Sequence, residues 1–300
     1  MTLSLAMVLD ALFGEPKWLW GRLPHPAVIL GKAVSAADRW MNKGAARRLK
    51  GGLALAGLVV AALLAGLAIA ALGGVVEALF AAILIAQRSL AEHVRAVAAG
   101  LRDSLNQGRR DVAMIVGRDT KDMDEPSVAR AAIESAAENL SDGVIAPLFW
   151  FLLGGLPMML AYKAINTADS MIGYRTPRHE AFGWASAKLD DLVNWAPARL
   201  TALLILATHG RLSAWPDVRA EAPRHRSPNA GWPESALARS LDIALSGPRA
   251  YGGKMRPFPF VNPGGRRHLA APDIEAAVSA LWRCWSLAFF VVIAVELLLR

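Results

Sequence analysis

The residues best suited to chemistry lie in a polar region that follows the first long apolar stretch. Glu134, Glu138 and Asp142 are spaced four residues apart, and Arg130 lies one step before them. This spacing places all four side chains on one face of a helix. Like charges at this spacing repel, so the pattern predicts a neutralising cation, metal ion or arginine. The alternative is a solvated face, which would be costly where the helix enters the apolar segment at Gly143.

A second acidic group precedes this helix, between positions 119 and 125. Mg²⁺ commonly takes one or two carboxylates together with substrate phosphates, so such a density of acids suits it. Alternatively, the acids just before Pro126 cap the N-terminus of the helix and the others are solvated. The spacing alone leaves both interpretations open. The acids are Asp119, Asp122, Asp124 and Glu125.

Three more polar groups lie beside the later apolar segments. Ionisable residues at membrane depth or at its rim are candidate site residues. The last group, at 227–234, indicates by itself only a rigid turn followed by a helix. The three groups contain Lys163, Asn166, Asp169, Ser170 and Arg175; then Asp190, Asp191 and Asn194; and finally Asn229 and Trp232.

Several classes of site are excluded by what the sequence lacks. It has neither a phosphate-binding P-loop nor a glycine-rich dinucleotide fingerprint, and the six histidines are scattered rather than paired as zinc ligands. Its single cysteine, Cys284, allows no disulfide framework. The net charge is +8, but basic residues between Lys43 and Lys50 directly precede an apolar span. This placement predicts a cytoplasmic membrane flank rather than a nucleic-acid site.

The elements that position these residues are predicted to be membrane helices. Hydrophobic residues make up 54% of the chain and charged residues 19%, and a spanning helix needs roughly 20 apolar residues. A turn at Gly73-Gly74 would divide the first stretch into a hairpin, although one long helix is the alternative. Gly154, Gly155 and Pro157 predict a broken or re-entrant third segment. The apolar segments are about 53–72, 75–94, 143–164, 196–208 and 284–299.

We therefore expect an all-α integral membrane protein, with residues 1–300 forming one polytopic domain. A helical hairpin and broken or re-entrant apolar segments would carry polar cytoplasmic loops. The polar region is expected to loosen at 106–108 and to form a short strand at 111–116. Residues 209–283, which are rich in Pro, Gly and Arg, are expected to be loop with short helices.

Several short sequence segments are more specific indicators of function than the composition is. They are 9–10 (LD), 14–16 (GEP), 25–26 (HP), 117–120 (GRDT), 132–143 (AIESAAENLSDG), 162–173 (YKAINTADSMIG), 188–195 (KLDDLVNW) and 227–234 (SPNAGWPE), in that order. This set closely resembles the CobD/CbiB family, the adenosylcobinamide-phosphate synthases of cobalamin biosynthesis, over nearly the whole chain.

The resemblance implies an ATP- and Mg²⁺-dependent amide ligase in the bacterial inner membrane, with its active site facing the cytoplasm. It would join adenosylcobyric acid to aminopropanol phosphate, or to aminopropanol, by way of an acyl phosphate. A homo-oligomer, or association with other enzymes of the pathway, is compatible with it. The alternatives are a transporter for a corrinoid or other anionic solute and a non-catalytic scaffold. No nucleic-acid partner is expected.

The resemblance also suggests roles for the polar residues, which we state as hypotheses. Mg²⁺–ATP would be held by Asp119, Glu134, Glu138 and Asp142, with Asn139 assisting. Phosphate would be bound by Arg118, Lys163 and Arg175, and the base for the incoming ammonium would be Asp169, Asp190 or Asp191. Substrate contacts are expected from Asn166, Asn194, Asn229 and Trp232. The corrin is expected at Trp184, Trp195 and Trp232, whose alternative role is anchoring at the membrane interface.

Overall fold

The computed structural model of the chain describes residues 1–251 and 254–299. Helices account for 74% of the residues, as the composition predicted. They are α1 (Thr2–Phe13), α2 (Lys17–Trp20), α3 (Pro26–Met41), α4 (Arg47–Ala70), α5 (Gly74–Leu84), α6 (Gln87–Asp103), α7 (Leu105–Ala113), α8 (Glu125–Leu140), α9 (Ala146–Ile172), α10 (Trp184–Val193), α11 (Trp195–Thr208), α12 (Trp215–Glu221), α13 (Gly231–Leu241) and α14 (Ala271–Leu298). A π-helical turn, Ser141–Ile145, joins α8 to α9.

The chain forms two compact units. The first unit contains Met1–Ala86, Ala146–Trp195 and Val292–Arg300, and the second contains Gln87–Ile145 and Ala196–Val291. Each unit is therefore assembled from segments that are distant in sequence.

The first unit contains the predicted hairpin. Helices α4 and α5 are separated by a turn that ends at Gly73, whose φ of 108° favours glycine. Helix α4 then approaches α9 closely, because a Cβ added at Gly66 would lie 2.4 Å from Cα of Pro157. Glycine in α4 is thus what allows the two backbones to pack together.

Helix α9 is broken at Gly154 and Gly155, as the glycine pair predicted. Gly155 has a φ of 66°, and the helix resumes at the next residues. The freed backbone N–H of Leu156 donates to Oε1 of Glu77 on α5 at 3.2 Å. Glu77, the one acid in an otherwise apolar stretch, therefore caps the broken helix.

Glu296 near the end of α14 has a similar structural role. Its carboxylate accepts from the backbone N–H of Leu3 at 2.9 Å and of Ser4 at 3.3 Å, and it pairs with the N-terminal ammonium at 3.1 Å. These are the free donors at the start of α1. Both isolated acids of the apolar stretches thus satisfy backbone groups at helix ends.

Four helical stretches within the described residues are long and apolar enough to cross a membrane, judged by length and composition. They are Arg47–Ala70, Gly74–Asp103, Glu125–Ile172 and Ala271–Leu298. The last is much longer than the predicted segment 284–299, because it begins at Ala271. Helix α11 is apolar but shorter than these four, as its length in the sequence predicted.

The second unit corrects two expectations about local structure. The predicted strand at 111–116 is wrong, because α7 runs through Ala113 after a cap at Ser104, whose Oγ accepts from the N–H of Gln107 at 3.2 Å. Gly108 does not loosen the chain. A Cβ there would lie 2.5 Å from Cδ2 of Leu101, so this glycine allows α6 and α7 to pack closely.

The region 209–283 is also more ordered than predicted, since it contains short strands as well as helices. They are β1 (Leu245–Ser246), β2 (Arg249–Tyr251), β3 (Lys254–Arg256) and β4 (Phe260–Val261). Strand β1 pairs with β4 and β2 pairs with β3, both antiparallel. The protein is predominantly helical, and the strict all-α expectation is corrected.

Candidate functional site

Helix α8 presents the acids of the second unit. Asp124 caps it, since its Oδ1 accepts from the N–H of Ser127 at 3.0 Å, and proline occupies the first turn. The hydrogen bonds from Ser127 lower the pKa of Asp124, against the effect of burial, which raises it. The acid before the helix is thus accounted for by capping, one of the two open interpretations.

Glu134 is the centre of a buried ion cluster. It is only 3% exposed, and its Oε2 lies 2.5 Å from a guanidinium nitrogen of Arg118 and 3.5 Å from one of Arg249. Its Oε1 accepts from the backbone N–H of Ser246 at 2.6 Å. The neutralising partner that the acid spacing predicted is therefore arginine.

Neighbouring residues of α8 fix the segments that carry those arginines. Ser135 donates to the carbonyl of Ile115 at 2.8 Å. Arg130 donates to the carbonyls of Ala244 at 3.3 Å and Arg267 at 3.0 Å. Helix α8 therefore anchors, through side-chain hydrogen bonds, both the segment that precedes Arg118 and the segments around β1.

Two buried titratable residues beside this cluster were not among the predicted site residues. Nε2 of His225 lies 3.6 Å from Oε1 of Glu234, and both side chains are under 10% exposed. Burial, followed by the charge of Arg249, lowers the pKa of His225 to about 4. Burial, followed by the charges of Glu134 and Glu138, raises the pKa of Glu234 well above its usual value. At neutral pH His225 is therefore a neutral imidazole, and its neighbour Glu234 is a carboxyl whose pKa burial raises.

The other predicted acids and amide on or beside α8 are exposed or half-buried. Glu138 and Asn139 are exposed, and the Asn139 amide donates to Ser135 O at 2.9 Å and Oγ at 3.2 Å. Asp142 is half-buried in the π-helical turn, and Asp119 is exposed. Glu138 thus presents a carboxylate to solvent one helical turn beyond buried Glu134.

The string at 227–234 places its two predicted residues inside the second unit. Oδ1 of Asn229 lies 3.3 Å from a guanidinium nitrogen of Arg199. Trp232 is only 8% exposed. It packs against Trp215 with ring centroids 5.3 Å apart, and the Arg199 guanidinium lies 4.3 Å from its ring. Trp232 is therefore a packing residue in this structure, unlike the exposed Trp184 and Trp195.

The four predicted magnesium ligands do not form a metal site in this geometry. Across residues 1–251 and 254–299, no group of three or more His, Cys, Asp or Glu side chains is arranged to hold a metal ion. Both oxygens of Glu134 are engaged by arginine or by backbone N–H. Guanidinium groups at this distance also repel a cation. Magnesium that enters with the nucleotide remains a prediction.

The first unit holds a second polar cluster, around Asp190. Oδ1 of Asp190 accepts from the Asn166 amide at 3.2 Å, and the Tyr162 hydroxyl donates to Oδ1 of Asn194 at 2.9 Å. Burial, followed by the charge of Asp169, raises the pKa of Asp190 to about 7. Residues of the strings at 162–173 and 188–195 are thus brought together.

The first unit also contains the predicted residues Asp191, Arg175 and Lys163. Oδ2 of Asp191 is 3.8 Å from Nζ of Lys188, and Arg175 is exposed but acts electrostatically on Asp191. Burial raises the pKa of Asp191. Lys163 is half-buried and acts on His25, whose pKa burial lowers.

A family profile described as CobD/Cbib protein matches residues 3–281. The chain belongs to the CobD/CbiB family. Similar family members include the cobalamin biosynthesis protein CobD of Sinorhizobium fredii, which is 47% identical with 96% of this chain and 94% of its own length aligned. The protein of the same name from Rhizobium meliloti is 46% identical, with 99% and 97% aligned. That of Brucella anthropi is 48% identical, with 99% and 96% aligned. No solved structure matches the chain.

Proposed function

We propose that this CobD/CbiB family member is an ATP-dependent ligase of cobalamin biosynthesis. It joins a carboxyl of adenosylcobyric acid to the amine of aminopropanol phosphate, or of aminopropanol, as an amide. The observation that carries this proposal is the family match over residues 3–281, with relatives named for cobalamin biosynthesis. The two polar clusters supply groups suited to the reaction.

The chemistry has two steps. The γ-phosphoryl group of ATP passes to the corrinoid carboxylate, which gives ADP and an acyl phosphate. The free amine then attacks the acyl carbon, the C–N bond forms, and inorganic phosphate leaves as the C–O bond breaks. Such a reaction needs positioning and charge neutralisation more than a covalent protein nucleophile.

In this proposal, the arginines of the Glu134 cluster stabilise the anionic phosphoryl groups. Arg118 and Arg249 are held by Glu134 in fixed positions, and fixed guanidinium groups stabilise negative charge that develops on phosphoryl oxygens. Glu134 itself acts as a positioning residue. Exposed Glu138 is a candidate to contact substrate or nucleotide-bound magnesium.

In this proposal, the Asp190 cluster removes the proton from the incoming ammonium group of the amine substrate. An alkylammonium must lose a proton before it can attack, and an efficient general base has a pKa near the working pH. Asp190, with a pKa of about 7, meets that requirement. Asp169 and Asn166 position its carboxyl and set its proton affinity.

The test uses the full chain purified in lipid nanodiscs with adenosylcobyric acid, aminopropanol phosphate and ATP. ADP is expected to form only when both acceptor substrates are present, in equal amount to the amide product. ATP use without amide would overturn the ligase assignment. Movement of a corrinoid across sealed vesicles without ATP use would favour the transporter alternative, and turnover only with added pathway enzymes would favour a scaffold.

We further propose that the chain resides in the bacterial inner membrane with its active site facing the cytoplasm. Ser186 is buried, so a cysteine there is a poor accessibility probe, whereas Lys188 is exposed. The native Cys284 is also buried. A cysteine at Lys188 should react with an impermeant maleimide only after the cells are permeabilised, and reaction in intact spheroplasts would contradict this orientation.

A further inference from the structure

An apolar cavity lies in the first unit, between α3, α4, α9 and the start of α10. Its volume is about 220 Å³ and it is partly open to the outside. An apolar cavity of about 150 Å³ is already large enough to take up benzene. Much of the wall consists of small residues, among them Ala37, Gly51, Ala54 and Ala168. These side chains are too short to fill the space between the helices.

Ser186 brings a polar group into this apolar cavity. It lines the cavity from α10 and is only 1% exposed. In the part of the chain that the structure describes, its hydroxyl has no hydrogen-bond partner. Buried polar side-chain atoms nearly always have one. A ligand with an acceptor oxygen at one end of an apolar body would supply the missing hydrogen bond.

The first turn of α4 lies beside the Ser186 end of the cavity. A Cβ added at Gly51 would lie only 1.9 Å from the backbone oxygen of Phe182, so the two backbones are in direct contact there. The guanidinium of Arg48 lies 3.7 Å from the ring of Trp184, the first residue of α10. A basic turn of α4 is therefore packed against the segment that leads to Ser186.

Other basic residues of this turn are held by backbone oxygens. Arg47 donates to the carbonyls of Pro177 and Arg178 at 3.4 and 3.5 Å, and Nζ of Lys50 donates to the carbonyl of Lys43 at 2.8 Å. Backbone carbonyls orient these side chains and leave their positive charge in place.

The acids of the two segments that meet here are too few to balance the basic residues. Residues 38–50 and 177–184 contain six Lys or Arg and two acids, Asp38 and Glu180. Asp38 pairs with Arg178 at 2.6 Å and lies 3.5 Å from His179, and Glu180 is exposed. An anionic group is therefore favoured beside this end of the cavity.

The outer face of α4 indicates which anionic molecule with an apolar body is available. Leu53, Val60 and Leu64 are each more than half exposed, and α4 is long and apolar enough to cross a membrane. In the proposed membrane location this face contacts lipid tails, and the basic residues at the start of α4 lie at the level of the headgroups.

We propose that the cavity binds one acyl chain of an anionic phospholipid, with the lipid phosphate beside the basic first turn of α4. The Ser186 hydroxyl donates to the ester carbonyl oxygen that joins the chain to the headgroup, and Arg48 binds the phosphate. The site depends on the proposed membrane location but not on the ligase reaction. Because α9 and α10 also carry Asn166 and Asp190, the lipid stabilises the helices that carry the Asp190 cluster.

The test measures lipid binding to the full chain by native mass spectrometry from detergent, with phosphatidylglycerol and phosphatidylcholine titrated separately. Ala54→Leu fills the cavity, and Ala56→Leu is its matched control, because Ala56 is exposed on the same helix and does not line the cavity. Ser186→Ala removes the hydroxyl. Arg48→Gln removes one basic side chain, and Arg219→Gln on α12 removes an exposed arginine elsewhere as its control.

The wild type is expected to retain one phosphatidylglycerol and to bind it more tightly than phosphatidylcholine. Ala54→Leu should weaken this binding about 10-fold or more, because its larger side chain occupies the cavity. Ser186→Ala should weaken it about 5-fold through the lost hydrogen bond. Arg48→Gln should remove most of the preference for phosphatidylglycerol, and the two controls should change binding less than about 2-fold.

Equal lipid affinities in Ala54→Leu and Ala56→Leu would overturn the cavity site, and equal wild-type affinities for the two lipids would overturn the anionic headgroup. A second copy of the chain retained in place of lipid, and lost in Ala54→Leu, would assign the cavity to self-association instead. Thermal unfolding in detergent gives a second readout: phosphatidylglycerol should raise the Tm of the wild type and of Ala56→Leu but not that of Ala54→Leu. Failure to form the amide would overturn the ligase proposal and leave these lipid affinities unchanged.

Discussion

The two polar clusters use similar acids in opposite electrostatic settings. In the second unit, Glu134 is paired with Arg118 and Arg249 and accepts a backbone N–H. In the first unit, Asp190 is hydrogen-bonded to an amide and lies near a second acid, Asp169. Paired guanidinium groups hold a carboxylate ionised, whereas burial near another acid favours the protonated form. The first arrangement suits fixed charge, and the second suits proton transfer.

Replacing Glu134 by Ala should have the largest effect. It leaves two largely buried arginines without their carboxylate, so the free energy of unfolding should fall by about 3–5 kcal/mol and ligation should be abolished. Thermal unfolding and amide formation in nanodiscs measure the two losses.

The matched variant is Glu138→Ala, one turn further along the same helix. Glu138 is exposed, so its removal should change stability by less than about 0.5 kcal/mol while still abolishing ligation. Equal stability losses in the two variants would contradict the distinct roles of these glutamates.

Replacing Asp190 by Asn should reduce kcat/KM about 100-fold, the usual contribution of a general base. In the wild type, kcat/KM should rise as pH increases through about 7, where Asp190 loses its proton. In the Asp190→Asn variant, this rising limb of the pH profile of kcat/KM should be absent. A pH profile between 5.5 and 8.5 makes the comparison, and an unchanged limb in the variant would assign the titration to another group.

Asp190 also predicts how stability depends on pH. Its folded-state pKa is raised, so the folded protein binds the proton more tightly than the unfolded chain does. Stability should therefore fall as pH rises from about 4 to about 7 and then level off. Asp190→Asn should remove this decline, and thermal unfolding at pH 5 and pH 8 tests it.

A smaller effect is expected from Gly173→Ala, which displaces Asp169 without altering any charge. A Cβ at this position would lie 1.9 Å from Oδ1 of Asp169 and 2.7 Å from its carbonyl oxygen. Moving Asp169 away should lower the pKa of Asp190, so the rising limb of the pH profile should shift to lower pH. Gly52→Ala is a suitable control, because a Cβ there meets nothing within 4 Å; equal profiles would argue against coupling between the two acids.

Tyr162→Phe should have the smallest effect. It removes the buried 2.9 Å hydrogen bond to Asn194 and leaves that acceptor unsatisfied, which costs about 1–2 kcal/mol. The melting temperature should fall by a few degrees while the pH profile of kcat/KM keeps its shape. A changed profile would place Tyr162 in the proton transfer itself.

Much of the architecture follows from local sequence. The apolar runs and Gly73 predict the α4–α5 hairpin, Gly154-Gly155 predicts the break in α9, and the residues before Pro126 predict the start of α8. The strand expected at 111–116 failed because a short run of branched residues resembles a strand until its packing is known. Val112 is buried in a helix, where tertiary contacts outweigh local propensity.

The candidate site, like the fold, could be predicted from the sequence only in part. The four-residue spacing of Glu134, Glu138 and Asp142 predicted that the acids share a helix face and need neutralisation; in the structure Asp142 lies in the π-helical turn after α8. Only the tertiary structure supplied Arg249, 115 residues from Glu134 in sequence, and placed His225 and Glu234 beside the same cluster.

The sequence by itself determined most of the helical elements, the family strings and the types of residue available for chemistry. The tertiary structure decided which of them act together: Glu77 and Glu296 became helix caps, Glu134 became an arginine-bound anchor, and Asp190 became a carboxyl with a pKa of about 7. The physical reason is that helix periodicity depends on neighbours along the chain. Burial and charge, in contrast, depend on residues that folding brings together from distant segments.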